Sequence, residues 1–442
     1  MHKWLIFCIF VVYKNIKIIR PLEQVRLLVF NAIRSIKSVN VSFVSFFIET
    51  MTLVLTIKGR INFLQLARYG KSCESRFRQN FRKPFEWLAF NMGLIKQQAG
   101  HLYAIAIDPS YISKSGKHTP GIGYFWSGCA GAAKRGLEAL GIALIDATTR
   151  EAFALRVVQT IKGVVSKGRP PKCVEHIEKD SLIRHYLLTL HKYSDRLLTL
   201  SNILVADAYF AKSTFVDGVL QLRFQFISRL RDDVRMRYLY TGKQKNRKGR
   251  RKQYGDKVDI NNLDLNVFRR EELLWNEKTV ITYSAVVNVI SLERNVKVVI
   301  VDCLDDDKKT QVRKVFFSTD CTMATQDIIN IYSTRFQIEF LFRDSKQFMG
   351  LQHCQSRNVN AIDFHLNLSL AAVNVARAFC KQCGIDYSIG KVKLLLHNAM
   401  MIERFISTFG KMTEHTKNKP PVFDDKNKLF KDLLFLGIND AA

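Results

Sequence analysis

The chain has 442 residues, 47% of them hydrophobic, enough apolar material for two or three packed domains, which excludes a disordered polymer. Its formal net charge of +29 points to a polyanionic partner, nucleic acid first and an anionic membrane surface second. The cysteines are scattered and odd in number, which argues for a reducing compartment, and Cys380 and Cys383 lack the second pair that a structural zinc site needs.

Residues 1–57 read as an irregular apolar and basic extension. Trp4 to Tyr13 is an unbroken apolar run, yet it falls well short of the roughly 20 residues that span a bilayer. Lys14, Lys17 and Arg20 follow it where a signal peptide would carry a small-residue cleavage site. Met51 offers an alternative start, and no membrane role is expected. Residues 58–100 read as helical and basic, with a turn at Gly70 and a second helix capped near Ser72. Arg76, Arg78, Arg82 and Lys83 follow. This spacing suits a DNA-reading helix-turn-helix and a helical hairpin packed on the core equally well.

The run YAIAID reads as a strand that ends in Asp108. A glycine-rich loop follows, and then a strand pair, LGIALIDAT and EAFALRVVQT, closed by a turn at Thr149 and Arg150. A basic loop broken by Pro170 and Pro171 leads to a helix over about 176–195. Next come the strand NILVAD, ending in Asp207, a short helix over 211–220, and the strand RFQFISRL. The stretch from Asp207 to Glu339 is too long for one crossover, and KTVITYSAVVNVI, VKVVIVDCL and VRKVFFSTD within it have strand composition. The basic run KQKNRKGRRKQ near its start makes Arg250, Arg251 and Lys252 candidates for DNA-backbone contact, with a solvated loop as the ordinary alternative. Residues after 360 read as helical again.

The segment YSTRFQIEFLFRDSKQFMG carries the sharpest signal. Tyr332, Arg335, Glu339 and Lys346 follow Y-x2-R-x3-E-x6-K, and at about 100° per residue they share one arc of a single helix with Arg343. The stripe is embedded among Phe336, Ile338, Phe340, Leu341 and Phe342, so its charges must pair or face a polar cleft. Asp108, Asp207 and Glu339 together are hard oxygen donors of the kind that suits Mg²⁺ or Mn²⁺.

These residues resemble the DDE transposases of bacterial insertion sequences, specifically the insertion-sequence-four family with its Y-R-E-K signature. ADAYFAK around Asp207, GRRKQYGDKV and MGLQHCQSRN extend the likeness over roughly residues 60–380. The resemblance implies an α/β fold: a ribonuclease-H-like core over 101–228 and 321–380, interrupted by a β-rich insertion over 229–320. Helical regions flank it at 58–100 and 381–442. It implies Asp108, Asp207 and Glu339 as catalytic metal ligands, and Mg²⁺, replaceable by Mn²⁺, as cofactor. Tyr332, Arg335 and Lys346 would contact DNA phosphates, with Arg343 beside them. It implies Trp275 as a candidate base-holding aromatic, against a plain packing role. The expected partner is double-stranded DNA, both element ends and target, bound by a homodimer in the bacterial cytoplasm. A metal-dependent nuclease of the same fold and a catalytically inactive DNA-binding relic are the alternatives.

Overall fold

The computed structural model describes residues 21–34, 36–161, 170–244, 250–275, 278–305 and 310–412. The strands are β1 (Tyr103–Ser113), β2 (Gly123–Ser127), β3 (Ala132–Asp146), β4 (Glu151–Gln159), β5 (Ile203–Val205), β6 (Gln225–Arg229), β7 (Met236–Leu239), β8 (Tyr254–Lys257), β9 (Arg269–Trp275), β10 (Lys278–Val289), β11 (Arg294–Asp305) and β12 (Thr310–Ser318). They join one mixed sheet in the order β2-β3-β1-β5-β6-β12-β11-β10-β7-β8, with β4 on β3 and β9 on β10. The β1–β5 and β5–β6 pairs are parallel.

The sheet is buried on both faces, and the period-2 alternation of its strands shows how. Ala104, Ala106 and Ile112 of β1 join one apolar cluster, while Ile105 and Ile107 join the other. The first cluster contains α1 (Pro21–Ile33), α2 (Val41–Thr56), α3 (Phe63–Tyr69), α4 (Glu74–Asn80) and α5 (Trp87–Leu94). It also takes in α8 (Thr325–Arg335), α9 (Gln337–Phe348), α10 (Val359–Cys383) and α11 (Ile389–Met412). The second contains α6 (Leu182–Leu198) and α7 (Ser213–Gln221). A mixed α/β fold with a large sheet and helices at both ends is therefore what the chain builds.

The free edge of β4 is clamped by α10. Asn367 accepts from the Val157 N–H and donates to the Val157 carbonyl, and Asn374 does the same for Ala154, each at 2.7–2.9 Å. The two amides stand two helical turns apart and meet residues three apart on one strand edge, on either side of the register shift in β4, where they do the work of a neighbouring strand.

Several expectations are corrected. Residues 21–57 form no irregular extension: α1 and α2 put Val25, Val29, Phe46, Phe47 and Met51 at the centre of the core. The apolar run at Trp4–Tyr13 lies outside the described residues. Among the described residues no helix is long and apolar enough to cross a membrane. Ser72 does not cap the second helix of the basic region. It bonds Glu49 instead, and Cys73 holds the cap position of α4 without a side-chain bond. The stretch over 229–320, expected as a β-rich insertion, contributes strands to the one sheet, with β12 paired to β6.

Candidate active site

Asp108 lies in the middle of β1 rather than at its end, since β1 pairs with β3 along its whole length to Ser113. The strand tolerates Pro109 because β5 pairs with β1 only at Ile105 and Ala106, so beyond that point this edge needs no N–H donor. The two parallel strands stop pairing there, and the gap past the carboxyl end of β5 is termed the cleft. Asp207 stands two residues beyond β5 and accepts a hydrogen bond from the Tyr209 N–H at 3.1 Å, capping a 3-10 turn. Asp108 shares the face of Ala104 and Ala106, toward α8 and α9.

The Y-R-E-K segment is not one helix. Tyr332 and Arg335 belong to α8, Glu339 and Lys346 to α9, with a break at Phe336. The cause is local: the Ser333 and Thr334 hydroxyls donate to the Asn330 carbonyl at 3.0 and 2.8 Å, a back-bonding pattern that bends helices. The four signature residues nevertheless meet the cleft. The Arg335 guanidinium donates to Glu339 Oε1 at 2.9 Å and lies 3.8 Å from Asp108 Oδ1. The Lys346 ammonium donates to Ser110 Oγ at 3.0 Å, one step along the same strand face from Asp108. The Tyr332 ring packs on Phe316, centroids 4.8 Å apart, and the Arg335 guanidinium stands 5.8 Å from its centre.

Glycine at 141 allows this docking. It pairs with Asp108 across the β1–β3 ladder, and a Cβ there would come 2.6 Å from two ring carbons of Phe342 on α9. The bare backbone lets Phe342 press the helix onto the strand that carries Asp108.

The charged groups of the cleft act on one another. Burial pushes the Asp108 carboxyl up to about 7; the Arg335 charge opposes this, and the Glu339 and Asp207 carboxylates add to it. Asp207 is raised as well, by burial, with Arg335 pulling the other way. Burial disfavours the Arg335 charge, but Tyr332, Asp108 and Glu339 outweigh that and hold its pKa above the ordinary value. Lys346 is lowered by burial, and Cys129 and Asp108 partly restore it. Arg335 Nε and Nη1 are buried without a hydrogen-bond partner. Buried donors left in that condition call for an acceptor, and an oxyanion such as a phosphate has the right shape for a guanidinium fork.

Two aspartates and a glutamate are suitable donors for a hard divalent cation. Among the described residues, however, no three acidic, His or Cys side chains are gathered tightly enough to hold a metal ion. The Arg335 guanidinium stands between Asp108 and Glu339 and supplies the positive charge there.

Other candidates fall outside the cleft. Arg343 turns to its neighbour Asp344 at 3.0 Å and over the Phe340 ring at 4.4 Å. Arg250, Arg251 and Lys252 are exposed beside β8, and Lys252 stacks on Tyr240. Trp275 packs against Phe316 and under Lys314. Ser110 and Gly141 were missed. Ser110 was readable as the same-face neighbour of Asp108 only once β1 was known to run on; nothing in the sequence marks Gly141. Glu138, buried and bonded by the Tyr186 hydroxyl at 2.7 Å, was also missed, but on β3 it alternates to the opposite face.

A family model described as a transposase DDE domain matches residues 177–375, and one described as a DDE superfamily endonuclease matches residues 77–275. Asp207 lies in both spans, Asp108 in the second and Glu339 in the first. No curated protein matches the chain. The two matches support a transposase-type nuclease of the DDE superfamily.

Proposed function

We propose that the chain is an insertion-sequence transposase of the insertion-sequence-four kind, which cuts DNA at the element ends and joins the freed 3′ ends to target DNA. The observation that carries this reading is Arg335 set between Asp108 and Glu339 in the cleft opened by β1 and β5, with two of its buried nitrogens lacking a hydrogen-bond partner. A plain hydrolase needs the carboxylates. Tyr332, Arg335 and Lys346 aligned beside them suit an enzyme that must also hold a cut DNA end.

In this reading Asp108, Asp207 and Glu339 would hold divalent metal, Mg²⁺ first. Bound there, the metal supplies activation of the attacking oxygen and charge neutralisation at phosphorus. The chain's own residues do the rest. Arg335 gives up its bond to Glu339 and turns its free N–H groups to a phosphate oxygen. Lys346, fixed by Ser110, offers a second cation one strand step from Asp108. Tyr332, anchored on Phe316, keeps the Arg335 stem in place. Burial by the helices strengthens each of these contacts by excluding water. A homodimer on DNA and a cytoplasmic setting belong to the same proposal.

The test is an assay on duplexes carrying the element ends with target plasmid and Mg²⁺. Wild type is expected to give both end cleavage and joined products, and Asp108→Asn and Asp207→Asn neither. Cleavage without joining in wild type would favour a nuclease, and equal cutting by the variants would sink the assignment.

A further inference from the structure

A second cationic feature lies at the far end of α9. A cavity of about 660 Å³ is lined by Lys58 and Arg60 from the α2–α3 link, Lys393 and Gly390 from α11, and His353 and Gln347. No acidic side chain lines it among the described residues. Lys58 and Arg60 are exposed and pair with no carboxylate among the described residues. Lys393 is nearly buried, with its ammonium on the Val54 carbonyl at 3.2 Å and on that of Phe348. Its stem and head are thus fixed before any ligand arrives. The charges press on one another: burial lowers His353, and Arg60, Lys393 and Lys114 lower it further. Gly390 sits in the first turn of α11, whose N-terminal dipole adds partial positive charge to the same wall. Three cations and a helix N-terminus without a counter-charge are costly to assemble, and an anion in the cavity relieves that cost.

The cavity is tied to the catalytic cleft by two routes. Along α9, Lys346 faces Ser110 in the cleft, and the next two residues, Gln347 and Phe348, already line the cavity. Along β1, the face of Asp108 and Ser110 leads to Lys114, which is held by the Gln352 carbonyl at 2.8 Å and feels the Arg60 charge. Six residues of extended chain cover about 20 Å, on the order of six base-pair steps of duplex.

We infer that this cavity seats a phosphodiester group of duplex DNA about half a helical turn from the scissile bond, clamped by Lys58, Arg60 and Lys393. The inference rests on the nucleic-acid reading of the catalytic cleft and adds to it a second, non-catalytic anchor that sets how the flanking duplex leaves the protein.

The test needs no catalysis. Binding of the full chain to a duplex several turns long is followed by fluorescence anisotropy without divalent metal, between about 50 and 200 mM KCl. Lys58→Gln/Arg60→Gln is compared with wild type and with Lys179→Gln/Lys192→Gln, two exposed lysines at α6 on the other face of the sheet. The cavity variant is expected to lower the slope of log K against log salt by about 0.9, the contribution of one phosphate contact. The control pair should leave it unchanged. Both variants are exposed, and thermal unfolding of each confirms its fold. Wild-type binding with an unchanged slope in the cavity variant, or an equal fall in the control, would overturn this inference alone. Absence of any salt-dependent DNA binding by wild type would overturn it together with the nucleic-acid reading. Heat protection by inorganic phosphate that the cavity variant abolishes, with the DNA slope intact, would assign the site to free phosphate and also overturn it.

Discussion

Arg335 and His365 show how single side chains set the chemistry of this molecule. Arg335 was legible from its place in the Y-R-E-K spacing, but its position between two carboxylates was not, because that depends on where β1 lies relative to α8. His365 was not legible at all. It is buried in α10 with its Nε2 2.7 Å from the Gly350 carbonyl, so the neutral tautomer with Nε2–H donates. Burial holds its pKa down to about 4. The unfolded chain takes up this proton near 6.5 and the folded chain only near 4, so stability is intact above about 6.5 and falls as the pH drops toward 4. The full effect is roughly 3 kcal/mol. Thermal unfolding from pH 7 to 4 is expected to show a steeper fall for wild type than for His365→Gln. Parallel curves would mean that His365 is not held neutral.

At the scale of elements, the docking of α9 on β1 decides whether the cleft exists. Gly141→Ala places a methyl group against the Phe342 ring. Overpacking of this kind costs about 1–3 kcal/mol, and here the strain falls on the helix that carries Glu339 and Lys346. Urea unfolding should show that loss, and the variant should bind a divalent metal more weakly than wild type. A variant as stable as wild type would show that Phe342 has room to turn. The elements themselves were largely legible: the β3–β4 pair, the helices after residue 360 and the strands of the long middle stretch follow from alternation and composition. What sequence misjudged was continuity. The strand YAIAID reads as ending at Asp108, but an unpaired strand edge lets proline stay in β1. The Y-R-E-K segment reads as one helix, but two hydroxyls compete for the Asn330 carbonyl and bend it.

At the scale of the whole molecule, the sheet is one body from β2 to β8, and the helices of both chain ends share its first face. Local patterns cannot show this, because β6 meets β12 only after the long intervening stretch folds back. Residues 21–57 were misjudged for the same reason, since an apolar helix looks irregular until its partner is known. Phe46 and Phe47 pack on Phe81, Phe85, Trp87, Phe90 and Phe364, and each fully buried ring contributes about 1.5–3 kcal/mol. A chain begun at Met51 lacks α1 and most of α2. It is expected to show no cooperative thermal transition, as followed by near-UV circular dichroism. A cooperative transition close to that of the full chain would show that these helices are dispensable.

The phosphoryl-transfer role proposed for Asp108, Asp207 and Glu339 is checked by Glu339→Gln, which removes a carboxylate charge while keeping its size. On a duplex carrying the element's own ends with Mg²⁺, wild type is predicted to cut at the end. Glu339→Gln is predicted to bind that duplex at least as well and to leave it intact. Equal cutting by both proteins would show that Glu339 is not a catalytic ligand.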